Sequence, residues 1–365
     1  MPASTLTLHD LNRATLQRQL LLERATMPVL QAVERLIGLQ SQIPNPPYIG
    51  LWSRLNGFRR EDLSTLIASR QIVRAAMLRS TLHLVAAGDY QQFRPALQPA
   101  LVRALNSFFG KPAQGIDVAR LVAAARAMLD AAPRTNGELG SILQELEPDR
   151  RADALAYIVR TYLPLVQVPP AGTWGIGTAT YVAAEAWLGS PVTSEDTLPA
   201  LFLRYLAAFG PASVMDFQTW TGMPKLKDAI EPLRPTLRTY RSEDNRELFD
   251  LPDALLPPAN TVVPPRFLPE YDNLLIAHAD RTRIIADADR SKVFLSAARV
   301  QATVLLDGFV RGTWRIKRDK KAATLVIEPF DRLDADDTAA LADEGARLLR
   351  FIEDKADSHT VEFVS

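Results

Sequence analysis

The sequence predicts an α+β protein in which three tandem winged helix-turn-helix domains pack around a C-terminal β-barrel or curved sheet. Two observations support this fold class. Before residue 258, helical segments followed by short strand-like segments occur three times, which is the order of elements in a winged helix. After residue 258, alternating apolar and polar residues replace the helical spacing. We therefore expect winged-helix domains at 1–110, 111–192 and 193–258, and a β-barrel region with a C-terminal helix at 259–365.

The first predicted domain begins with two helices, because apolar residues recur at helical spacing between Thr7 and Leu39. Two further helices are predicted by the segments YIGLWSRL and RREDLSTLIASRQ. The next segment, IVRAAMLRSTLHLV, changes to β-branched and alternating residues, as in the two strands of a wing. This order predicts a winged helix.

The second predicted domain repeats the pattern with a stronger capping signal. Thr135 or Asn136 opens a short helix, and Glu138 stands where it can complete a capping box. A longer helix follows, and the segments LVQVP and TWGIG then flank a Pro/Gly turn as the strands of a wing. This is the clearest of the three winged-helix patterns.

The third predicted domain and the C-terminal region are marked by their turns. Gly210-Pro211 breaks one helix, Ser213 opens the next, and a hairpin turns at Glu243-Asp244-Asn245. After a proline-rich connection, alternating segments predict strands, with hairpin turns at Asp307-Gly308 and Asp319-Lys320. The predicted strands include RTRIIAD, and the segment DDTAALADEGARLLRFIEDKA predicts a closing helix.

The composition excludes several kinds of chemistry. The chain has no cysteine, which rules out disulfides, thiolate nucleophiles and Cys-ligated metals, and its four histidines are scattered: His9, His83, His278 and His359. We therefore expect no metal and no cofactor. No apolar run approaches the ~18 residues of a membrane span, and the N-terminus lacks the apolar stretch of a secretory signal. These features predict a cytoplasmic protein without a membrane partner.

The formal net charge is zero, but the charges are unevenly distributed. Residues 1–110 contain 12 arginines and 6 acidic residues, and residues 264–321 contain 12 basic against 7 acidic residues. The tail 328–365 holds 11 acidic against 4 basic residues and cancels much of this excess. The distribution allows basic faces for a polyanionic partner, with an ordinary solvated mixture of charges as the alternative.

The segment GLQSQIPNPP places Gln40 and Gln42 where the second predicted helix ends. Pro44 and Pro46 disfavour helical geometry in the residues before them, so the chain unwinds here and both carboxamides could turn toward one point. Neutral amides can hold a water, which suffices only where the leaving group is already activated, as in a cationic N-alkylated purine. The alternative is that they cap helix carbonyls or face solvent.

Along essentially its whole length the chain resembles the winged-helix DNA glycosylases of the AlkZ and YcaQ (AlkX) type. The resemblance rests on LIGLQSQIPNPPYIGLWSRL, IVRAAMLRSTLHLVAAGDY, FLPEYDNLLIAHADRTRII and VLLDGFVRGTWRI. That family combines tandem winged helices with a β-barrel and removes bulky alkylated purines, including interstrand crosslinks left by azinomycin-like genotoxins. Its AlkZ branch carries a Gln-x-Gln motif and its YcaQ branch Gln-x-Asp. Gln40-Ser41-Gln42 matches the AlkZ branch, although Ser41 replaces the usual apolar residue.

The resemblance implies that Gln40 and Gln42 flank the scissile bond and hold the attacking water. It also implies a β-hairpin that probes DNA. The best candidate is HADRTRII, in which His278, Arg281 and Arg283 would contact phosphates or the minor groove. Arg281 and Arg283 would share one face of the predicted strand, and a salt-bridged sheet edge is the alternative.

Other candidate residues lie on the first wing and in the PEYDNLL segment. Arg74 and Arg79 lie on the wing, where they could contact backbone phosphates. His83 stands between apolar neighbours, which indicates a packed, hydrogen-bonded histidine. Asp272 and Asn273 precede an apolar run and are interpreted as caps of a turn.

We therefore predict a monofunctional DNA glycosylase for bulky N-alkylated purines of the N7-alkylguanine type and, as the resemblance implies, for interstrand crosslinks. Such an activity would serve DNA repair and self-resistance to a genotoxin. The predicted partner is double-stranded DNA carrying alkylated purines, bound by a monomer with no obligatory protein partner. Two alternatives are a non-catalytic winged-helix transcriptional regulator and a structural protein that kept the fold.

Overall fold

The structure is a computed structural model that describes residues 4–193 and 195–364. The α-helices, in chain order, are α1 (Leu8–Arg18), α2 (Val29–Arg35), α3 (Pro46–Arg54), α4 (Arg60–Ala68), α5 (Ala87–Phe93), α6 (Gln98–Phe109), α7 (Val118–Ala131), α8 (Asn136–Gln144), α9 (Ala152–Tyr162), α10 (Ala184–Leu188), α11 (Leu198–Phe209), α12 (Val214–Thr221), α13 (Lys227–Ile230), α14 (Arg290–Val293) and α15 (Ala335–Ile352). The strands are β1 (Thr5–Leu6), β2 (Leu39–Gln40), β3 (Ile72–Ala76), β4 (Leu82–Ala86), β5 (Leu165–Gln167), β6 (Tyr181–Ala183), β7 (Arg238–Ser242), β8 (Glu247–Asp250), β9 (Arg266–Leu268), β10 (Thr303–Leu306), β11 (Phe309–Asp319), β12 (Ala322–Pro329) and β13 (Ser358–Phe363). The chain is therefore α+β, as predicted.

One antiparallel sheet, in the order β2-β4-β3-β5-β6, contains strands from both of the first two predicted domains. The predicted wing strands β3 and β4 are confirmed, and so are helices α3 and α4. The returning strand predicted at TWGIG is wrong, because residues 171–175 form turns in which Gly172 and Gly175 have positive φ. The strand that follows β5 in the chain and pairs with it is β6. The division into four domains stays a prediction.

The segment before the two glutamines is a strand and not the end of a helix. Helix α2 ends at Arg35 because Ile37 and Gly38 have φ values of 55° and 85°, in the left-handed region. A Cβ on Gly38 would lie 2.9 Å from the carbonyl oxygen of Leu84, so only glycine fits this approach. The chain then enters β2, which pairs with β4. The predicted extension of this helix to Leu39 is wrong.

The second and third predicted segments begin their short helices with capping boxes. Thr135 and Glu138 form the predicted box at α8, and Ser213 with Asp216 forms another at α12. The hairpin β7–β8 turns through Asn245 at φ 65°, and β1 adds to it in parallel. Helices α11 and α12 contribute Tyr205 and other buried aromatic residues to a core that also includes residues of the first two segments.

The C-terminal region is an open five-stranded sheet in the order β13-β12-β11-β10-β9. The predicted β-barrel is wrong, because β9 and β13 are edge strands that do not pair with each other. Helix α15 covers the sheet through its apolar residues Leu341, Leu348 and Leu349, so the apolar face is buried without closure. The hairpin turns at Asp307-Gly308 and Asp319-Lys320 are confirmed, and β13 was not predicted.

In the part of the chain that the structure describes, no helix is both long enough and apolar enough to cross a membrane.

Candidate active site

The two glutamines lie at the edge of the sheet β2-β4-β3-β5-β6, where β2 ends. Gln40 is the last residue of β2 and lies opposite His83 of β4, and the backbone N–H of Ser41 still donates to the carbonyl of Leu82 at 2.7 Å. Strand β2 ends at Gln40, and Ser41 and Gln42 lie in the loop that follows it. The glutamines therefore stand where a strand, and not a helix, ends, and the convergence of their carboxamides stays a prediction.

One turn holds both carboxamides. The Arg79 guanidinium donates from Nη2 to Oε1 of Gln40 at 3.1 Å, and the backbone N–H of Leu82 donates to Oε1 of Gln42 at 3.3 Å. Among the described residues, no acceptor is bonded to either Nε2. Because an amide oxygen has two lone pairs, each glutamine keeps two N–H donors and one acceptor position for a water or a substrate.

The two glutamines differ in exposure. Gln42 is exposed, whereas Gln40 is only 8% exposed. The Nε2 atom of Gln40 has no partner among the described residues. It is not one of the fully buried atoms without a partner, so it reaches solvent. Gln40 is therefore recessed in the site, whereas Gln42 lies at its surface.

Arg74 does not point toward a DNA backbone but clamps the loop that carries the glutamines. Its guanidinium donates to the carbonyl oxygens of Ser41 and Gln42, to Oγ of Ser41 at 3.1 Å and to Oε1 of Gln167 at 2.6 Å. Arg74 is buried, so the predicted phosphate contact is wrong for this conformation. The buried Ser41 hydroxyl accepts from Arg74, which explains a polar residue between the two glutamines.

Arg79 is also turned inward. Its guanidinium donates from Nη1 to the carbonyl oxygen of Trp220 at 2.5 Å, besides its bond to Gln40. Burial, and to a smaller extent the nearby charge of Arg281, lowers its pKa to about 10. Arg79 is only half-buried, and although its guanidinium is bonded to protein acceptors in this conformation, its contact with a phosphate stays a prediction.

The candidate hairpin HADRTRII is not a strand. Residues 278–285 form turns and bends, so Arg281 and Arg283 share no strand face. His278 is 1% exposed and bonds through Nε2 to the carbonyl oxygen of Phe209, and burial lowers its pKa to about 3. Arg283 is 4% exposed and donates to the carbonyl oxygen of Pro211. The predicted DNA contacts of these two residues are wrong in this conformation.

Arg281 is half-buried, and its guanidinium lies 4.2 Å from the ring centre of Phe294. Burial lowers its pKa, and Arg290 adds to the effect. A DNA contact of Arg281 stays a prediction.

Asp272, Asn273 and His83 are structural supports of the site. Asp272 caps a short turn at the N–H of Leu274 and forms a buried bidentate ion pair with Arg54. Asn273 donates to the carbonyl oxygen of Gly38 at 3.1 Å and so holds the entry to β2. The expected cap is confirmed for Asp272. His83 is buried and contacts the carbonyl of Thr81 through Nδ1 at 3.1 Å, as expected for a packed histidine.

A groove of about 300 Å³ adjoins the glutamine loop. Ile43 and Asn45 of that loop form one side of the groove, and Trp314, Arg315 and Arg318 of β11 form the other. Glu270 adds a carboxyl whose pKa burial raises. Within residues 4–193 and 195–364, no three His, Asp or Glu side chains converge as metal ligands would.

The hairpin β11–β12 carries exposed basic residues at its tip, which we define as the basic hairpin: Arg315, Lys317, Arg318, Lys320 and Lys321. Three of the five have acidic partners, namely Glu328, Glu353 and Asp357. Among the described ion pairs, none involves Lys317 or Lys320. Sequence reasoning found this hairpin turn but did not identify the positive charge at its tip, although the run RIKRDKK contains only one acidic residue.

These side chains restrict what the site can do. Neutral amides orient a water but do not ionise it, so the bond that is cleaved must have a leaving group that is already activated. The groove lies between the loop that follows the two glutamines and the basic hairpin, and positive groups along such a groove suit a reaction on DNA rather than on a small molecule. Fold and site thus define the class of DNA glycosylases, hydrolases of N-glycosyl bonds, rather than a silent regulator.

The chain belongs to the AlkZ-like DNA glycosylase family, whose profile matches residues 33–351. It is 26% identical to the interstrand DNA cross-link repair glycosylase of Streptomyces sahachiroi over 364 residues, which covers 92% of this chain and 94% of that protein. Its fold is that of the solved structure of Streptomyces sahachiroi DNA glycosylase AlkZ, with a TM-score of 0.78 at 21% identity over 99% of this chain and 100% of that one.

Proposed function

We propose that this glycosylase hydrolyses the N-glycosidic bond of bulky N-alkylated purines of the N7-alkylguanine type, in monoadducts and in interstrand crosslinks. The observation that carries the proposal is the pair of carboxamides held by one turn beside the groove. The name of the Streptomyces relative supports the crosslink as a substrate. DNA repair and self-resistance to a genotoxin would be the biological use.

Alkylation at N7 of guanine gives the base a positive charge and makes it a good leaving group. The sugar then develops oxocarbenium character, and the remaining task is to place a water against C1′. Gln40 and Gln42 would hold this water through their free amide donors and acceptors. As the C1′–O bond forms, the C1′–N bond breaks, the cationic base leaves as a neutral molecule with the bonding electron pair, and the proton of the water passes to solvent. The step requires neither a lysine amine nor a cofactor.

The groove and the basic hairpin supply the DNA contacts in this proposal. Arg74, His278 and Arg283 are buried, whereas Arg315 and Arg318 of the basic hairpin are exposed and line the groove. A crosslinked base cannot swing freely out of the duplex, so an open groove suits such a substrate better than an enclosed pocket. The three winged helices would serve mainly as the frame, in a cytoplasmic monomer.

The decisive experiment is to incubate the purified protein with duplex DNA treated with a nitrogen mustard, and then to cleave abasic sites with alkali. We expect strand breaks at guanines, release of the alkylated base, and no protein–DNA adduct on borohydride reduction, because water and not an amine attacks. A separately purified crosslinked duplex tests unhooking. Absence of breaks on the treated duplex would refute the proposal, and a borohydride-trapped adduct would refute the water mechanism.

The basic hairpin gives a prediction for DNA binding. Replacing Lys317 and Lys320 by glutamine should weaken duplex binding roughly tenfold or more at 0.1 M salt, because two phosphate contacts are lost. The slope of log K against log salt should fall by about 1.8. Fluorescence anisotropy with a labelled duplex over a salt series measures both quantities.

A matched control for this measurement replaces two exposed lysines that lie outside the basic hairpin, Lys111 and Lys227. The control removes the same charge and should leave the salt slope close to that of the unmodified protein. Equal losses in both variants would mean that only the total charge matters and that the hairpin is not the contact.

A further inference from the structure

We infer that Arg79 is a positioning residue, which fixes the Gln40 carboxamide in the one orientation that presents Nε2 to the substrate. The inference rests on the proposed function and adds a residue to it. Arg79 does not line the groove, and it would act only through Gln40. The step that it controls is the placement of the water, not the binding of the duplex.

The guanidinium can select the amide orientation because arginine only donates hydrogen bonds. The atom of Gln40 that faces Arg79 must therefore be the acceptor Oε1, and the Nε2 donors must point the other way. Without Arg79 the carboxamide could rotate by half a turn and offer Oε1 in their place. One donor-only neighbour thus decides which end of the amide meets the water.

Arg79 is itself held at both ends. The planar fork of its guanidinium uses Nη1 on the carbonyl oxygen of Trp220, at the end of α12, and Nη2 on Gln40. Trp220 is fully buried in the core beneath the site. Because one arm of the fork is fixed to the backbone of a packed helix, the position of the other arm, and with it Oε1 of Gln40, is fixed as well.

The backbone at Arg79 is also constrained. Arg79 and Ser80 have φ values of 52° and 60°, in the left-handed region that non-glycine residues seldom adopt. A Cβ added to Gly222 would lie 3.3 Å from the Cα of Arg79, so the glycine leaves room for this turn. The Ser80 hydroxyl is bonded to the Tyr157 hydroxyl at 3.0 Å. Such conformations persist where the surroundings over-determine them, often at functional sites.

Burial of an arginine with no carboxylate partner is costly. Among the described ion pairs none includes Arg79, and its pKa is lowered to about 10, first by burial and then by Arg281. A carbonyl and an amide oxygen are the groups that compensate it. Arg79 therefore depends on Oε1 of Gln40 as one of its two side-chain acceptors, which couples the two groups.

The test is a double-mutant cycle of Arg79→Met and Gln40→Ala, read as single-turnover release of base from duplex treated with nitrogen mustard. We expect Arg79→Met to slow release by roughly 10- to 100-fold when Gln40 is present and by less than about twofold when it is alanine. DNA affinity should stay unchanged in both, and Arg79→Lys should restore part of the rate. Equal effects of Arg79→Met in both backgrounds would overturn the inference.

Arg94→Met is the matched control. Arg94 is a buried arginine that donates to the carbonyl of Thr161 and to Oε1 of Gln98, away from the glutamine loop. It should lower the melting temperature as Arg79→Met does, with no change in the release rate. A neutron crystal structure of the free Arg79→Met protein, which distinguishes Oε1 from Nε2, gives an answer that does not depend on activity: the carboxamide of Gln40 should leave its present orientation. An unchanged carboxamide would overturn the inference, whereas failure of the unmodified protein to release any base would count against the proposed function alone.

Discussion

Replacing Gln40 and Gln42 together by alanine is expected to slow single-turnover base release by at least about 10³-fold. The reason is that, in the proposed reaction, these two carboxamides together hold the water against C1′. Each single replacement should cost about 10²-fold, because residues that hold one water act as a unit and their effects do not add. The measurement is the rate of alkali-labile break formation with enzyme in excess over duplex.

The affinity for DNA is the internal check on this result. Gln40 and Gln42 are uncharged and do not belong to the basic hairpin. The dissociation constant of the double variant for duplex DNA should therefore stay within about twofold of the unmodified value. Gln92→Ala, at an exposed glutamine of α5, removes the same side chain away from the site and should change nothing. A double variant that keeps most of its rate would show that the water is held elsewhere.

The second large effect is expected from the ion pair of Arg54 and Asp272. Both side chains are almost fully buried and are joined by two bonds of 2.8 Å, one from each Nη atom. Arg54→Leu leaves a buried carboxylate without its cation, which should cost about 3–5 kcal/mol in the free energy of unfolding. Urea unfolding followed by tryptophan fluorescence measures the loss.

The companion variants separate the pair from its environment. Replacing both residues by leucine should recover much of the stability, because a buried ion pair often gains little over apolar residues of similar volume. Arg59→Ala breaks the exposed pair with Asp62 and should leave the midpoint unchanged. If the double variant were as unstable as Arg54→Leu alone, the lost bonds from Arg54 to the carbonyls of Gln19 and Gly50 would be the cause.

Local signals in the sequence predicted local structure well. The capping box of Thr135 and Glu138 and the turn at Asp319-Lys320 depend on neighbouring residues alone, and both are confirmed. The left-handed backbone at Ile37 was not predictable, because a β-branched residue seldom adopts it and tertiary packing imposes it here. The sequence therefore located the Gln-x-Gln motif but assigned it to the wrong kind of element.

Inward-facing arginines explain most of the errors at the site. Whether an arginine meets DNA or protein depends on acceptors far away in the chain: Gln167 for Arg74, Trp220 for Arg79 and Pro211 for Arg283. The spacing of residues in the sequence does not reveal contacts with such distant acceptors, so we interpreted these arginines as exposed. The strand β13 was missed for the same reason, since its partner β12 lies about 30 residues earlier and pairs in parallel, without a turn that would mark it.

The turn between β3 and β4 touches parts of the chain that lie far apart in sequence. Arg79 reaches Trp220, Ser80 reaches Tyr157, and Leu82 reaches Gln42. A fragment that stopped at residue 192 would retain both glutamines and yet lose the carbonyl that steadies Arg79. A shortened enzyme that keeps only the N-terminal segments should therefore be inactive. Proteolytic cleavage far from the Gln-x-Gln motif should likewise abolish activity, as replacement of the motif itself would.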